Sequence, residues 1–316
     1  MKIKNIIYIS VISLLSITIA SCKKESANIF NMFTDVTITL DSTSIPHSIG
    51  FHNQINDGDS VVFNFTMASA KKDMYQVSIY QVGSAIPFLN IPITDPAKRR
   101  NFSYTYKMGP WTGSTGLSTY RIFAYDSAGI YIGDGYKSIA VDVAVNYTFL
   151  PNRKLYYPDS TTGTTGTMKC YLSLSTGATY SYTDGAANSA DIDLGLYTVA
   201  KQTGTTTNIP SIYSLSAPTL PFRLYDISTW TKRATRFSAA QTGQAANFVR
   251  NYNSGNRILS YAKGRNPTST AVSGLASGSA VAFLTPEGKY GILLVNSLTR
   301  DSEGKQYIDI SIKYQN

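Results

Sequence analysis

The chain has 316 residues, of which 43% are hydrophobic and 15% are charged, and this balance excludes a chain that is disordered throughout. Its 23 tyrosines against six methionines favour strands over helices. The formal net charge is +9, and with only two cysteines and two histidines the sequence offers no disulfide framework and no zinc-ligand pattern.

The N-terminal segment has the pattern of an export signal. Lys2 and Lys4 form a basic start, and residues 6–19 form an apolar run that has the length of a signal peptide and is short for a membrane span. We therefore expect a lipoprotein signal peptide over residues 1–21 and a short tether over residues 22–33.

Cys22 follows the small residues Ala20 and Ser21, an arrangement that resembles the lipobox of bacterial lipoproteins. The resemblance implies cleavage before Cys22 and acylation of its thiol and its new amino group, since two or three acyl chains anchor a protein stably where one does not. An ordinary signal peptide or a short membrane anchor with an incidental cysteine is the alternative. Two cysteines also allow one disulfide, between Cys22 and Cys170.

Residues 34–147 contain short segments in which apolar and polar side chains alternate, which is the pattern of half-buried strands. Turn signals separate them at residues 56–59 and 126–129, and no helical pattern interrupts the series. This spacing predicts an immunoglobulin-like β-sandwich without a cysteine pair between its sheets. The predicted strands include residues 36–40, 61–65, 75–79, 102–108, 120–125 and 138–145.

Residues 148–167 are rich in Pro, Ser, Thr and Gly and are predicted to be a linker. The second domain, residues 168–316, is predicted to be mainly β with one or two short helices. One helix is expected near residues 182–190, capped by Thr183 or Asp184, and another over residues 244–252. The predicted strands include residues 168–175, 191–197, 280–285, 290–295 and 307–313.

The chain resembles uncharacterised Bacteroidota outer-membrane lipoproteins with an N-terminal immunoglobulin-like domain. The resemblance rests on the lipobox around Cys22, on "TGATYSYTDGAANSADIDLGLY" at residues 176–197 and on the closing "TPEGKYGILLVNSL" and "YIDISIKYQ". Such lipoproteins often accompany glycan-uptake systems of the outer membrane. The resemblance therefore implies an envelope protein in contact with glycans, and it supplies no catalytic residues.

Catalytic residues are few. His47 and His52 lie in a loop-like stretch without a nucleophile motif or a nearby cysteine, which fits neither catalysis nor zinc binding. Asp191 and Asp193 flank Ile192 on one predicted strand face, where they could act as a pair or bind calcium. A structural role at a strand edge or a helix–strand junction is the other interpretation. We expect no catalytic residue, metal or cofactor.

Positive charge is concentrated in the second domain. Residues 31–147 hold eight basic and nine acidic residues, whereas residues 148–316 hold sixteen and nine. From Ile227 to Pro286 there is no acid at all, and this span predicts a site for an anionic ligand within residues 227–265. The alternative is that its aromatic side chains are core and its cations are dispersed on the surface. The residues chosen for the ligand site are Trp230, Lys232, Arg233 and Arg236.

These features predict an exported, lipid-anchored envelope protein that acts as a non-enzymatic binding or adhesion module. Lys23 after Cys22 favours the outer membrane by analogy with enteric sorting, and the periplasmic and external faces stay open. The expected partners are the membrane, a glycan or anionic envelope ligand and outer-membrane proteins, whereas export argues against nucleic acid. A glycan-active enzyme that uses Asp191 and Asp193 and a purely structural envelope protein are the alternatives.

Overall fold

A computed structural model describes residues 35–110, 115–158, 166–199, 209–220 and 225–316. The predicted signal peptide, Cys22 and the tether lie outside the described residues. The chain divides into two compact units. The first takes in residues up to Asn53, Ser60–Gly109 and Ser118–Val141, and the second takes in Gln54–Asp59, Pro110–Leu117 and Asp142–Asn316.

The first unit is built from strands, as predicted. One sheet has the order β1-β3-β6, and the other has the order β2-β9-β7-β4-β5 with β8 paired to β7. The strands that lie wholly or partly in this unit are β1 (Val36–Leu40), β2 (His52–Ile55), β3 (Ser60–Ser69), β4 (Gln76–Gln81), β5 (Leu89–Pro92), β6 (Asn101–Pro110), β7 (Gly116–Tyr125), β8 (Tyr131–Gly133) and β9 (Ile139–Val143).

Alternation along the strands builds the core of the first unit. Val61, Phe63, Phe65 and Met67 of β3 are all buried. The ring of Phe63 meets the ring of Tyr120 from β7 edge to face, with centroids 5.6 Å apart, and this contact joins side chains from the two sheets. The predicted turns also occur, because Gly58 and Gly129 have φ values of +95° and +74°, which favour glycine. The finer immunoglobulin-like assignment stays a prediction.

The second unit contains two antiparallel sheets of five strands, with orders β10-β19-β18-β17-β15 and β12-β11-β13-β14-β16. Its strands are β10 (Tyr147–Tyr156), β11 (Tyr171–Leu172), β12 (Thr179–Tyr180), β13 (Leu194–Val199), β14 (Ile209–Ser214), β15 (Arg236–Phe237), β16 (Ala271–Ser273), β17 (Ala280–Leu284), β18 (Tyr290–Arg300) and β19 (Gln306–Gln315). Its α-helices are α1 (Tyr182–Asn188), α2 (Ala245–Arg250) and α3 (Gly255–Gly264). The mainly β prediction is confirmed.

The main core of the second unit consists of apolar side chains from both sheets. Leu155, Leu194, Phe283 and Ile310 are each at most 1% exposed there. Burying one such side chain stabilises the fold by roughly 1.5–3 kcal/mol relative to leaving it in water. This core fixes the strand ends and turns that border the candidate site.

Helices α2 and α3 pack on the sheet that contains β17, β18 and β19. Phe248 of α2 and Ile258 of α3 join Ala280, Ile292 and Leu294 in a second buried cluster. Ser254 caps α3, because its side-chain oxygen accepts a hydrogen bond from the backbone N–H of Arg257. None of the helices in the described part of the chain has the length and apolarity needed to cross a membrane.

Lys313 of β19 lies under α2 and is only 4% exposed. Its ammonium donates hydrogen bonds to the carbonyl oxygens of Phe248 and Tyr252, at 2.7 and 2.8 Å. Rings of Tyr147, Phe149 and Phe248 stand 4.8 to 5.7 Å from the nitrogen. Because burial disfavours the charged form, the pKa of Lys313 falls to about 8.

Three local predictions differ from the structure. Residues 148–156 of the predicted linker, 148–167, belong to strand β10 at the edge of its sheet, where Pro151 occupies a bulge between Leu150 and Arg153. Residues 159–165 of the predicted linker lie outside the described residues. The cap of α1 is Ser181 rather than Thr183 or Asp184, since its side-chain oxygen accepts from the N–H of Asp184. Helix α3 was not predicted.

Candidate functional site

Trp230 does not offer an open ring face to a ligand. It is 6% exposed and belongs to an aromatic cluster on the outer side of the sheet that contains β11, β13 and β14. Its indole stacks on the ring of Tyr182 at 5.7 Å and an interplanar angle of 17°, and it meets Tyr171 at 4.9 Å. The structure therefore corrects the predicted role of Trp230 as a platform for a sugar ring, because the indole is buried among other aromatic rings.

Helix α1 explains how the indole becomes covered. Gly185 lies in the middle of this helix, where glycine costs about 1 kcal/mol relative to alanine. A Cβ atom at Gly185 would overlap the indole of Trp230. The glycine thus allows the helix backbone to rest directly on the tryptophan ring, and the sequence around Trp230 gave no sign of this contact.

Arg233 makes structural contacts on its inner side. Its Nε donates to Oδ1 of Asp193 at 2.8 Å, and that carboxylate is fully buried. Asp193 also accepts from the hydroxyl of Thr235 and from the backbone N–H of Leu174, both at 2.8 Å. A buried carboxylate with three donors is well satisfied, so this network stabilises the junction between α1 and β13.

The predicted pair of Asp191 and Asp193 is not formed. Asp191 is exposed and ends the short 3₁₀ helix Ser189–Asp191, whereas Asp193 is fully buried against Arg233. The alternation around Ile192 predicts that the two carboxylates share one strand face. The structure shows that they do not share an accessible face. Asp193 instead has the structural role predicted as the alternative, in a helix–strand junction held by side-chain hydrogen bonds.

The outer side of Arg233 borders a cavity of about 180 Å³, which we call the Arg233 pocket. The side chain of Arg233 is 16% exposed, and its Nη2 donates a hydrogen bond to the carboxylate of Glu287 at 2.7 Å. Tyr314 forms part of the wall, with its hydroxyl bonded to the carbonyl of Ser175 at 2.7 Å. The residues that line the pocket are Leu174, Ser175, Arg233, Phe283, Thr285, Glu287, Lys289 and Tyr314.

The charges of the Arg233 pocket are largely balanced. Burial by itself lowers the pKa of Arg233, but hydrogen bonds and the charges of Asp193 and Glu287 outweigh this effect and raise it. For Glu287, burial raises the pKa, but hydrogen bonds from Thr285 and Arg233 outweigh burial, so the pKa of Glu287 is lowered overall. Two carboxylates face one guanidinium and the ammonium of Lys289, so the pocket offers both donors and acceptors.

The other predicted ligand residues are not brought together with Arg233 in this pocket. Lys232 is exposed, and Arg236 is half-buried in β15 opposite Leu284. Neither lines the Arg233 pocket. Of the four residues predicted to bind the ligand, Arg233 lines the Arg233 pocket and the other three do not.

The histidines do not form a site in the described residues. His47 and His52 are both exposed. Within the described ranges, no three side chains of the His, Cys, Asp and Glu types lie close enough together to hold a metal ion.

A second opening, of about 450 Å³, lies beside the edge strands β10 and β12, and we call it the cationic groove. Arg153, Lys154 and Lys169 line it, and Tyr156 adds an aromatic ring. The backbone N–H of Tyr156 donates to the carbonyl of Lys169 at 2.9 Å, which holds the two segments together. Sequence reasoning missed this groove because Arg153 and Lys154 fell within the predicted linker.

No protein-family model matches the chain, and no curated protein matches it. Among solved structures, the chain is similar to a DUF4466 family protein from Parabacteroides merdae ATCC 43184, with 15% identity, a TM-score of 0.41 and coverage of 90% of this chain and 99% of that chain. It is also similar to a protein of unknown function from Bacteroides ovatus, with 6% identity, a TM-score of 0.22 and coverage of 90% and 93%. Similarity at this level carries no argument about the family, the lipid anchor or the ligands of this chain.

Proposed function

We propose that the chain is an exported outer-membrane lipoprotein, anchored through Cys22, whose second unit is a non-enzymatic binding module for envelope glycans. The export signal, the lipobox-like residues before Cys22 and the resemblance to Bacteroidota lipoproteins support the anchor. The predicted immunoglobulin-like first unit is compatible with the strand orders β1-β3-β6 and β9-β7-β4-β5.

The single observation that supports binding over catalysis is that the Arg233 pocket has one accessible carboxylate among its described residues, that of Glu287, while Asp193 is buried. Glycoside hydrolysis usually needs two carboxyl groups on either side of the scissile bond. Asp193 is sealed beneath Arg233, which leaves Glu287 as the accessible carboxylate among the pocket residues. An aromatic wall with mixed donors and acceptors suits the hydroxyl groups and apolar face of a sugar.

The anchor is tested by labelling cells with a palmitate analogue. The wild-type chain should be labelled, and the Cys22→Ala chain should not. Absence of label on the wild type, or equal label on both chains, contradicts the anchor and leaves the binding proposal to be judged separately.

The binding module is tested by retention of the detergent-purified full-length chain on immobilised polysaccharides. Glu287→Gln and Lys289→Gln each remove one charged group at the pocket, and a lost charged hydrogen bond weakens binding by roughly tenfold. Lys263→Gln, an exposed change outside the pocket, is the matched control. Retention on no polysaccharide, with membrane proteins captured instead, would favour the purely structural alternative.

The enzyme alternative has its own measurement. Turnover of a polysaccharide that is abolished by Asp193→Asn, in a chain that stays folded, would overturn the binding proposal. Asp191→Asn serves as the comparison, because the same substitution at this exposed position removes no buried contact.

A further inference from the structure

The cationic groove has a charge imbalance that the Arg233 pocket lacks. Among the described residues, its lining includes three cations, Arg153, Lys154 and Lys169, and no carboxylate. Within the described residues, none of the three forms an ion pair with an acidic side chain. Arg153 and Lys154 are consecutive in β10 and leave opposite faces of this edge strand, so an anion at the edge lies in the field of both and of Lys169.

Arg153 adds a second, independent observation. Among the described residues, its Nε–H is buried and has no hydrogen-bond partner. The guanidinium lies against Gly177, where an added Cβ would stand 2.7 Å from Nε and 3.3 Å from Cζ. A buried donor without a partner usually costs about 1–3 kcal/mol, and this cost falls if the side chain turns its Nε–H towards an acceptor in the groove.

The acidic groups near the groove are engaged elsewhere. Asp309 is opposite Lys154 in the β10–β19 register, and its Oδ1 accepts from the side-chain amide of Asn296 at 2.6 Å. Asp301 accepts a hydrogen bond from Tyr156, which together with burial raises the pKa of this tyrosine. The ammonium of Lys154 lies 5.0 Å from the centre of the Tyr307 ring. The described lining of the groove therefore holds three cations and no carboxylate that would neutralise them.

We infer that the cationic groove binds a phosphate monoester attached to a sugar. A single carboxylate needs one arginine fork, whereas a phosphate monoester has nearly two negative charges and three acceptor oxygens, which suits one arginine and two lysines. The groove volume of about 450 Å³ exceeds what one phosphate fills and leaves room for a sugar ring beside Tyr156. This site is separate from the Arg233 pocket, so it does not depend on the function proposed there.

The experiment titrates the detergent-purified full-length chain with glucose 6-phosphate, glucuronate and glucose by calorimetry at 50 and 500 mM salt. We expect glucose 6-phosphate to bind at least tenfold more tightly than the other two. Its binding should weaken at high salt, since the screening length falls from about 14 Å at 50 mM to about 4 Å at 500 mM. Vesicles that contain a phosphorylated glycolipid, compared with the soluble sugar phosphate, distinguish a lipid headgroup from a free ligand as the source.

Lys154→Gln and Lys169→Gln change exposed residues, so both chains should stay folded, and each should weaken glucose 6-phosphate binding about tenfold. Lys232→Gln, an exposed change outside the groove, should leave it unchanged. Equal binding of glucose and glucose 6-phosphate, no binding at 50 mM salt, or equal loss with Lys232→Gln would overturn the inference. None of these outcomes bears on polysaccharide retention through Glu287 and Lys289.

Discussion

Arg233 and Arg153 both border an opening in the second unit, and their surroundings are opposite. Arg233 has a buried carboxylate on its inner side and an exposed carboxylate on its outer side. Arg153 has no carboxylate partner among the described residues and keeps a buried Nε–H without an acceptor. The difference shows that the count of cations in a sequence segment says little about ligands, because the partners of each cation decide whether it is available.

The most direct test of this difference between Arg233 and Arg153 is the same substitution at both residues. Arg233→Met leaves Asp193 buried without its charged partner, so we expect a loss of about 3 kcal/mol in the free energy of unfolding. Arg153→Met removes a buried donor that has no partner, so we expect no loss and a gain of up to about 1 kcal/mol. Urea denaturation of the two variants measures both values, and equal losses would show that the two arginines have the same structural role.

A third cation, Lys313, extends the comparison to a residue that is buried among carbonyl groups. Its folded-state pKa of about 8 lies below the ordinary 10.5, so the unfolded chain binds more protons between these values and stability rises with pH there. The shift corresponds to ~3 kcal/mol at full strength, and partial solvation reduces it to about 2 kcal/mol. Denaturation at pH 7.5 and 10.5 should show this rise in the wild type.

Lys313→Met is the control for that rise. The variant has no ammonium to titrate, so the stability of the wild type relative to the variant should increase with pH through this window. A difference that is constant with pH would mean that the lysine is not desolvated as the structure indicates.

The smallest effect is expected at Glu287, because its carboxylate is half exposed. Its pKa is lowered in the folded chain, so its contribution is present above the ordinary value of 4.5 and is lost as the pH falls through the folded value. We expect Glu287→Gln to cost less than about 1 kcal/mol at pH 7. The cost should disappear at acidic pH, and a larger or pH-independent loss would place Glu287 in the structural network with Asp193.

Much of the fold was predictable from alternation, and most of the site was not. Val36–Leu40 and Ala280–Leu284 were expected as strands because a period of two is a local property of the sequence. Helix α3 was missed because its ten residues lie inside a basic segment that had been assigned to a ligand. β10 was missed because Pro151 and its neighbours have linker composition, and only pairing with β19 makes this segment a strand.

The site residues depend on contacts that no local pattern reveals. Nothing near Trp230 in the sequence indicates that Gly185 lies against its ring, 45 residues earlier. Asp193 and Arg233 are 40 residues apart, and their pairing follows from the packing of β13 against the segment after Trp230. Short-range patterns predict which residues form strands, whereas the partners of a charged side chain are set by tertiary structure.

The thiol of Cys170 is a chemical probe for local opening of the aromatic face of the second unit. It is 1% exposed and shares its cluster with Tyr171 and Trp230. In a Cys22→Ala chain it is the single cysteine, so a thiol reagent can react only when this face opens. When opening and closing are faster than the reaction, its rate relative to that of a small thiol gives the fraction of molecules in which this face is open. The single free thiol of Cys170 therefore measures local opening of the second unit without an introduced cysteine.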